Sequence, residues 1–217
     1  MNMNILEISL PLLLEGLKAT LLISAMAICI SIFVGGLIGG LYISSNWLLH
    51  GIAYLYIKIF RNTPFMVQVY LAYYGLPALG LNVDAYWTGV IVLALYTGAY
   101  VAVILESGLR SVEKGQYEAA AALNIPYITM LRRIILPQIM GIVIPPLTSQ
   151  FIMTVKESSV LSIITIAELT MMTNKAIGIT FSPFEVYILA GIMYWAINIC
   201  IERIAKYFEK KAVRYQA

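Results

Sequence analysis

The sequence predicts an all-α integral membrane protein with about five transmembrane helices. Of its 217 residues, 61% are hydrophobic and only 12% are charged, whereas soluble domains carry roughly 25% charged residues. Two uncharged stretches, residues 86–105 and 134–155, are each long enough to cross a hydrocarbon core of ~30 Å as a helix. No sizeable soluble domain fits between such stretches, so residues 1–217 are predicted to form a single transmembrane domain.

Hydrophobic runs set the predicted spans. The first run contains four glycines whose small-xxx-small spacing favours the close approach of another helix: Gly35, Gly36, Gly39 and Gly40. Residues 47–60 are apolar and aromatic but include His50 and Lys58, so we expect an interfacial segment that leads into the second span. The five predicted spans are residues 17–43, 64–79, 86–105, 134–155 and 186–201.

Residues 156–183 are the least regular part of the chain. They are half apolar, but Glu157, Glu168 and Lys175 make them too polar to span the membrane alone. We expect a re-entrant or interfacial helix packed against the spans, because irregular backbone in a membrane must be satisfied by protein or water. An exposed outer loop remains the alternative.

Basic residues set the predicted orientation, since cytoplasmic segments carry an excess of Lys and Arg. One basic group lies between the third and fourth spans and the other in the C-terminal tail: Arg110, Lys114, Arg132 and Arg133, then Arg203, Lys206, Lys210, Lys211 and Arg214. Five spans place both groups in the cytoplasm and the N-terminus outside. The N-terminal segment has no basic leader and no small-residue cleavage site, so we expect that no signal peptide is removed.

The charged insert at residues 110–133 is the most informative segment. It separates two apolar spans, so it must lie in water beside the membrane. Glu118, Ala119, Ala120 and Leu123 suit a short helix there. An exposed helix in this place does little for lipid contact or folding, and we therefore interpret it as a surface offered to another protein.

The insert also carries a family resemblance. Gln116-Tyr117-Glu118-Ala119-Ala120, followed by Leu123-Asn124, resembles the EAA loop of ATP-binding cassette (ABC) importer permeases. The resemblance implies a cytoplasmic coupling helix that docks on an ATPase subunit, with Glu118 as the charged contact and Ala119 and Ala120 keeping the helix slim. The family usually has Gly where this chain has Asn124, and Asn tolerates the left-handed conformation that ends many helices.

Further segments, spread over residues 15–210, resemble the polar amino-acid permeases of the histidine, glutamine and arginine permease-like subfamily. These segments are FRNTP at 60–64, YYGLP at 73–77, GAYVA at 98–102, PPL at 145–147, KESS at 156–159 and ELT at 168–170. The resemblance implies a permease subunit in the bacterial cytoplasmic (inner) membrane that translocates a polar amino acid.

The same resemblance implies partners. They are a second permease subunit, two ATP-binding subunits and an extracytoplasmic substrate-binding protein. The chain has no GxxxxGK[ST] phosphate loop, so we expect no enzymatic activity and no cofactor in it, with ATP and Mg²⁺ bound by the ATPase partner. Its net charge of +3 is small and diffuse, which gives no case for nucleic acid. Arg132 and Arg133 are expected to anchor the fourth span at lipid phosphates.

One departure from the family pattern concerns Val103, where the resembling permeases usually place Glu. An intramembrane carboxylate is normally kept for function. Its absence slightly favours a heterodimer with a permease that retains Glu over a homodimer. The expected substrate path consists of polar side chains at membrane depth: Gln68, Tyr70, Tyr96, Thr97, Tyr100, Thr148 and Gln150.

Two other classes of transport protein remain as alternatives from the residues alone. A secondary transporter would need internal repeats with matching broken helices, and no second copy of the insert is present. A channel subunit would need a ring of carbonyl groups or charges as a selectivity filter.

Overall fold

The computed structural model describes residues 3–213, and over this range the chain is helical without a β-strand. Arg214, one of the basic tail residues, lies outside the described residues. The elements are α1 Met3–Tyr42, α2 Trp47–Asn62, α3 Phe65–Ala78, α4 Ala85–Arg110, α5 Lys114–Ala122, α6 Tyr127–Met130, a π-helical turn Leu131–Ile135, α7 Leu136–Glu157, a 3₁₀ segment Ser158–Ile164, α8 Leu169–Thr180 and α9 Pro183–Val213.

Four stretches within residues 3–213 are long and apolar enough to cross a membrane. They are Asn4–Tyr42, Ala85–Arg110, Tyr127–Ile164 and Pro183–Tyr207. The sequence predicts a fifth span at residues 64–79, where the structure has the shorter helix α3, which is not among these four stretches.

The residues expected to form the second span belong to α3, which has only 14 residues. At 1.5 Å per residue such a helix rises about 21 Å, which is less than the ~30 Å hydrocarbon core. Extended backbone at Thr63 and Pro64 separates α3 from α2. At the other end Gly80 has a positive φ of 81° and ends the helix. Helix α3 therefore occupies the predicted second span but is too short to cross the hydrocarbon core by itself.

Helix α1 is longer than the predicted first span. It begins at Met3 rather than at residue 17 and continues through Glu7, Glu15 and Lys18 to Tyr42, over 40 residues. Helices α4 and α9 likewise extend beyond the predicted ends of their spans, to Arg110 and Val213. A helix satisfies its own backbone hydrogen bonds, so it can continue from lipid into water without a break.

The α1 and α4 helices form the central contact of the fold. Gly35 and Gly39 lie on the face of α1 that touches α4, against Val101 and Ala102. A methyl group placed on the other two glycines would meet no heavy atom within 4 Å, so Gly36 and Gly40 face away from α4. The Gly35 and Gly39 pair therefore makes the α1–α4 contact, and the Gly36 and Gly40 pair does not.

The segment between α7 and α9 is helical and packed against other elements. Helix α8 contacts α1 and α9. The preceding 3₁₀ segment ends at Thr165, and α8 ends at Phe181, both in the left-handed region with φ of 66° and 49°. Residues 158–180, between α7 and α9, are therefore not an exposed loop.

Candidate coupling helix and substrate path

Helix α5 lies on a small apolar cluster of its own chain. Ala120 is the buried residue of α5, and it belongs to a core cluster with Met130, Ile135, Ile139 and Val143. The helical turn places Glu118, Ala119 and Leu123 outside this contact, and all three are exposed. Ala120, predicted to be part of the surface that docks on the ATPase, instead faces the protein interior and packs on this apolar cluster.

The end of α5 has the conformation expected from Asn124. This residue has φ of 53°, in the left-handed region. Its N–H donates to the Ala121 carbonyl at 3.0 Å, and the Ile125 N–H donates to the Ala120 carbonyl at 3.0 Å. This pair of bonds is a Schellman motif, which satisfies carbonyls that a helix end would leave free. Ile125 also packs on the cluster that contains Ala120.

Tyr117 fastens α5 to the end of α4. Its hydroxyl donates to the Leu109 carbonyl at 3.3 Å, and its ring packs on the same cluster as Ala120. Burial, together with the nearby Tyr127, raises the pKa of Tyr117. Glu106 and Arg110 form an ion pair one turn apart at the end of α4. Side chains of α5 thus contact the end of α4 directly and share an apolar cluster with residues of α7.

The predicted path residues on α4 are close to one another. The Tyr96 and Tyr100 hydroxyls lie 3.3 Å apart, and the Phe65 ring packs on Tyr96 with ring centres 4.9 Å apart. Thr97 faces another way: its hydroxyl is buried and lies 3.0 Å from the Thr154 hydroxyl on α7. The threonine pair joins α4 to α7 inside the protein.

Other predicted path residues make local contacts. The Gln68 amide donates to the Phe60 carbonyl at 2.9 Å and to the Thr63 carbonyl and hydroxyl at 3.1 and 2.7 Å. Gln68 therefore holds the break between α2 and α3 in place. The Tyr70 ring stacks on Tyr74, with ring centres 5.8 Å apart.

The α7 residues of the predicted path lie after its two prolines. Thr148 donates its hydroxyl to the Ile144 carbonyl at 2.9 Å. Gln150 is half-buried, and its carbonyl accepts the Thr154 hydroxyl at 2.9 Å. The structure thus places the seven path residues on three helices, and Tyr100 alone among them lines the cavity of about 330 Å³ beside α2.

Glu168 is a key residue that the sequence reasoning did not single out as a site. Its fully buried carboxylate accepts the Thr170 and Met171 N–H groups at 2.8 Å each and the Tyr194 hydroxyl at 3.1 Å. It therefore caps α8 and ties it to α9. Burial raises the pKa of Glu168, against the lowering effect of these hydrogen bonds. The ELT motif was the only local signal for this role.

A family model matches almost the whole chain. Residues 9–214 match the family described as binding-protein-dependent transport system inner membrane component. The chain belongs to this family. It is an inner-membrane permease subunit of an ABC importer, as the EAA resemblance predicted. Members of the family are the membrane components of importers that work with an ATPase and a binding protein.

Curated relatives of the permease agree with this family over nearly their full length. The arginine transport system permease protein ArtQ of Bacillus subtilis is 33% identical over 203 residues, covering 93% of each chain. The glutamine transport system permease protein GlnP of Escherichia coli is 31% identical over 205 residues, covering 94% of each chain. The predicted subfamily resemblance is confirmed.

Solved structures share the fold of the permease. A chain from a structure entitled "Crystal structure of an amino acid ABC transporter with histidines" has a TM-score of 0.84 and 34% identity, covering 93% of this permease and 94% of that chain. A chain of the MetNI methionine ABC transporter, at 18% identity and a TM-score of 0.69 over 96% of the permease and 99% of that chain, shows the fold alone.

The alternatives left open by the residues are now resolved. Neither a secondary transporter nor a channel subunit agrees with the family match over residues 9–214. The permease is located in the bacterial cytoplasmic membrane, as predicted. Among the described residues, no group of three or more His, Cys, Asp or Glu side chains is placed to hold a metal ion.

Proposed function

We propose that the permease translocates a polar amino acid across the cytoplasmic membrane. The observation that carries this proposal is the similarity, over nearly the full length of each chain, to permeases named for arginine and glutamine transport. The working assembly contains a second permease subunit, two ATP-binding subunits and an extracytoplasmic binding protein. ATP and Mg²⁺ are bound by the ATPase subunits, and this chain itself has no enzymatic activity.

Helix α5 is the coupling helix in this proposal. It docks in a groove of the ATPase, with Glu118 making the charged contact and Ala119, Leu123 and Asn124 at the surface of the contact. Three features support this: the exposure of Glu118 and Leu123, the apolar cluster on which Ala120 packs and the Schellman hydrogen bonds that end the helix at Asn124. A short helix supported on its inner side can transmit a push without bending.

The topology has five crossings with the N-terminus outside and the C-terminus in the cytoplasm. Helices α2 and α3 together form the second crossing, with a break at Thr63 and Pro64. The 16 and 14 residues of the two helices are each too short to span alone but suffice in series. Cysteines introduced at Ser45 and Asn82, both exposed, should react from opposite sides of the membrane. Labelling of both from one side would contradict the broken crossing.

Co-purification tests the assembly. A tagged permease expressed with its native partners should bring down an ATPase subunit that carries a phosphate loop, and mass measurement should give two permease chains per complex. We slightly favour two different permeases, because Val103 stands where the resembling family has Glu. A complex with two identical permease chains would refute the heterodimer, and a complex without an ATPase would refute the proposed function.

A further inference from the structure

The chain between α5 and α7 contains a turn that is wider than an α-helical turn. Leu131–Ile135 are π-helical and join α6 to α7 without a break. The Leu136 N–H donates to the Leu131 carbonyl, five residues back, whereas in an α-helix it would donate to the Arg132 carbonyl. A single π turn inside a helix is rare and occurs frequently at functional sites. Here it lies between the candidate coupling helix and a membrane-spanning helix.

Pro137 explains why the wide turn is tolerated at this position. In an α-helix the N–H of residue 137 would donate to the Arg133 carbonyl. Proline has no N–H, and its ring clashes with the carbonyl four residues before it. A π turn normally lacks one backbone hydrogen bond relative to a continuous α-helix, but here Pro137 has already removed one from the α-helical alternative. The backbone therefore favours neither arrangement of this turn strongly.

The buried side chains on either side of the turn suit both arrangements. The stripe that packs with Ala120 consists of Met130, Ile135, Ile139 and Val143. Its spacings are five, four and four residues, and the step of five coincides with the π turn. In an α-helical turn Leu131, four residues before Ile135, would take the place of Met130. Both are large apolar residues, and Leu131 already packs on the edge of this cluster. The core can therefore accept either residue.

Helix α7 is the fixed side of the turn. It packs closely on α4, where a Cβ placed on Gly108 would collide with Val143, and the Thr97 and Thr154 hydroxyls also join the two helices. On the other side, α6 has only four residues and is joined to α5 by the short connection at residues 123–126. A shift of one residue would move α6 by about 1.5 Å along the helix axis and rotate it by about 100°.

We propose that Leu131–Ile135 is a register switch, in which the segment leading to α5 shifts by one residue between a π and an α arrangement as the ATPase subunits open and close. The inference rests on the proposed function of α5 as the coupling helix, and it names the element that passes the movement of α5 to α7. Met130 is buried in the π arrangement and Leu131 in the α arrangement. Packed cores respond to small displacements by moving between two such discrete states.

Cysteine labelling of the purified complex tests the two arrangements. The background carries Cys29→Ser and Cys200→Ser, because both native thiols are free and exposed. Met130 is 6% exposed and Leu131 is half-buried. Met130→Cys should therefore react with a maleimide more slowly than Leu131→Cys in one of two states, nucleotide-free or trapped with ATP and vanadate, and faster in the other. Ser111→Cys, exposed at the end of α4, is the control and should react equally in both. The same order in both states would overturn the switch.

Deletion of Arg133 gives a functional test. It removes the extra residue of the π turn, so the flanking segments keep their observed relation in a regular helix and the shift is no longer available. The complex should still bind its ATPase but lose both uptake and substrate-stimulated ATPase activity. Arg133→Gln removes the same charge, keeps the chain length and should retain both. Normal uptake with the deletion would overturn the switch and leave the proposed function intact.

Pro137→Ala covers the case in which the deletion variant does not assemble. Alanine restores the N–H donor and removes the ring, which favours the α arrangement. In this background Leu131→Cys should react more slowly than Met130→Cys in both nucleotide states. Labelling that is unchanged by Pro137→Ala would overturn the switch. A wild-type complex that takes up no amino acid would instead overturn the proposed function.

Discussion

Gly35 of α1 lies directly against Val101 of α4: a Cβ atom placed on Gly35 would be 2.5 Å from the Val101 Cβ. The next residue, Gly36, has no heavy atom within 4 Å of the same position. Two adjacent glycines on one helix thus have opposite environments. This difference shows that the close approach of α1 and α4 depends on the absence of a side chain at Gly35.

Gly35→Ala should destabilise the permease. The added methyl group must displace Val101 or separate the two helices, and overpacking of this kind costs about 1–3 kcal/mol. Gly36→Ala is the matched control, and it should be neutral or stabilising because Ala favours a helix over Gly by about 1 kcal/mol. The apparent melting temperature of the purified complex measures both effects. Equal melting temperatures for the two variants would argue against the described α1–α4 contact.

Asn124→Ala should destabilise the end of α5, while Asn124→Gly should not. The left-handed backbone at φ 53° costs an ordinary L-residue roughly 1–2 kcal/mol, and Gly adopts it freely. Amide hydrogen exchange at Asn124 and Ile125 reports on the local stability of the two Schellman hydrogen bonds. Faster exchange is expected for Asn124→Ala only. Comparable protection in the Ala and Gly variants would contradict the left-handed cap.

Glu168→Ala should destabilise the packing of α8 more than Glu168→Gln does. The Ala variant leaves the Thr170 and Met171 N–H groups without their acceptors, at about 1–3 kcal/mol for each buried group. Gln keeps one acceptor oxygen on a side chain of similar shape. Melting temperatures at fixed pH compare the two variants with the wild type. An Ala variant as stable as the Gln variant would show that the cap contributes little.

Glu168 should also make stability depend on pH. Burial raises the pKa of Glu168 in the folded protein above the ordinary value of 4.5, so the folded state holds its proton more tightly than the unfolded state does. The contribution of this group to stability is then largest below pH 4.5 and falls as the pH rises through the folded pKa. The glutamine side chain of Glu168→Gln cannot titrate. The melting temperature of this variant should therefore rise relative to that of the wild type as the pH increases from 4.5 through the folded pKa of Glu168. A constant difference across the window would contradict the raised pKa.

The helical class, the short helix within residues 110–133 and its left-handed end could be predicted from the sequence. A helix that crosses the bilayer needs about 20 residues with few charges, because a charge in lipid is costly. Long uncharged runs and the charged insert at 110–133 can therefore be recognised from local composition alone. The conformation of Asn124 could also be anticipated, because the preference for left-handed backbone belongs to the residue itself.

Other features depend on contacts between distant parts of the chain and could not be read in this way. Thr20 accepts the Leu169 N–H at 3.0 Å, across 149 positions of sequence, and no local pattern indicates that pairing. Gln68 is expected from the sequence to line the substrate path because it is a polar residue in a predicted span. Its amide instead donates to the Phe60 carbonyl and the Thr63 hydroxyl, at the break between α2 and α3. The break at Thr63 and Pro64 separates α2 from α3, because Pro64 lacks a backbone N–H donor and favours extended backbone before it.

In the proposed mechanism, α5 couples ATP hydrolysis to transport through Glu118. The most direct measurement is ATP-driven uptake of a labelled amino acid into vesicles that contain the complete complex, together with the ATPase rate of the same vesicles. Glu118→Lys should abolish uptake and substrate-stimulated ATPase activity while leaving melting temperature unchanged, since substitutions on an exposed surface usually alter stability by less than about 0.5 kcal/mol. Glu7→Lys, the same charge change at an exposed position on α1, should retain both activities. Normal uptake and normal ATPase stimulation in the Glu118→Lys complex would contradict this mechanism.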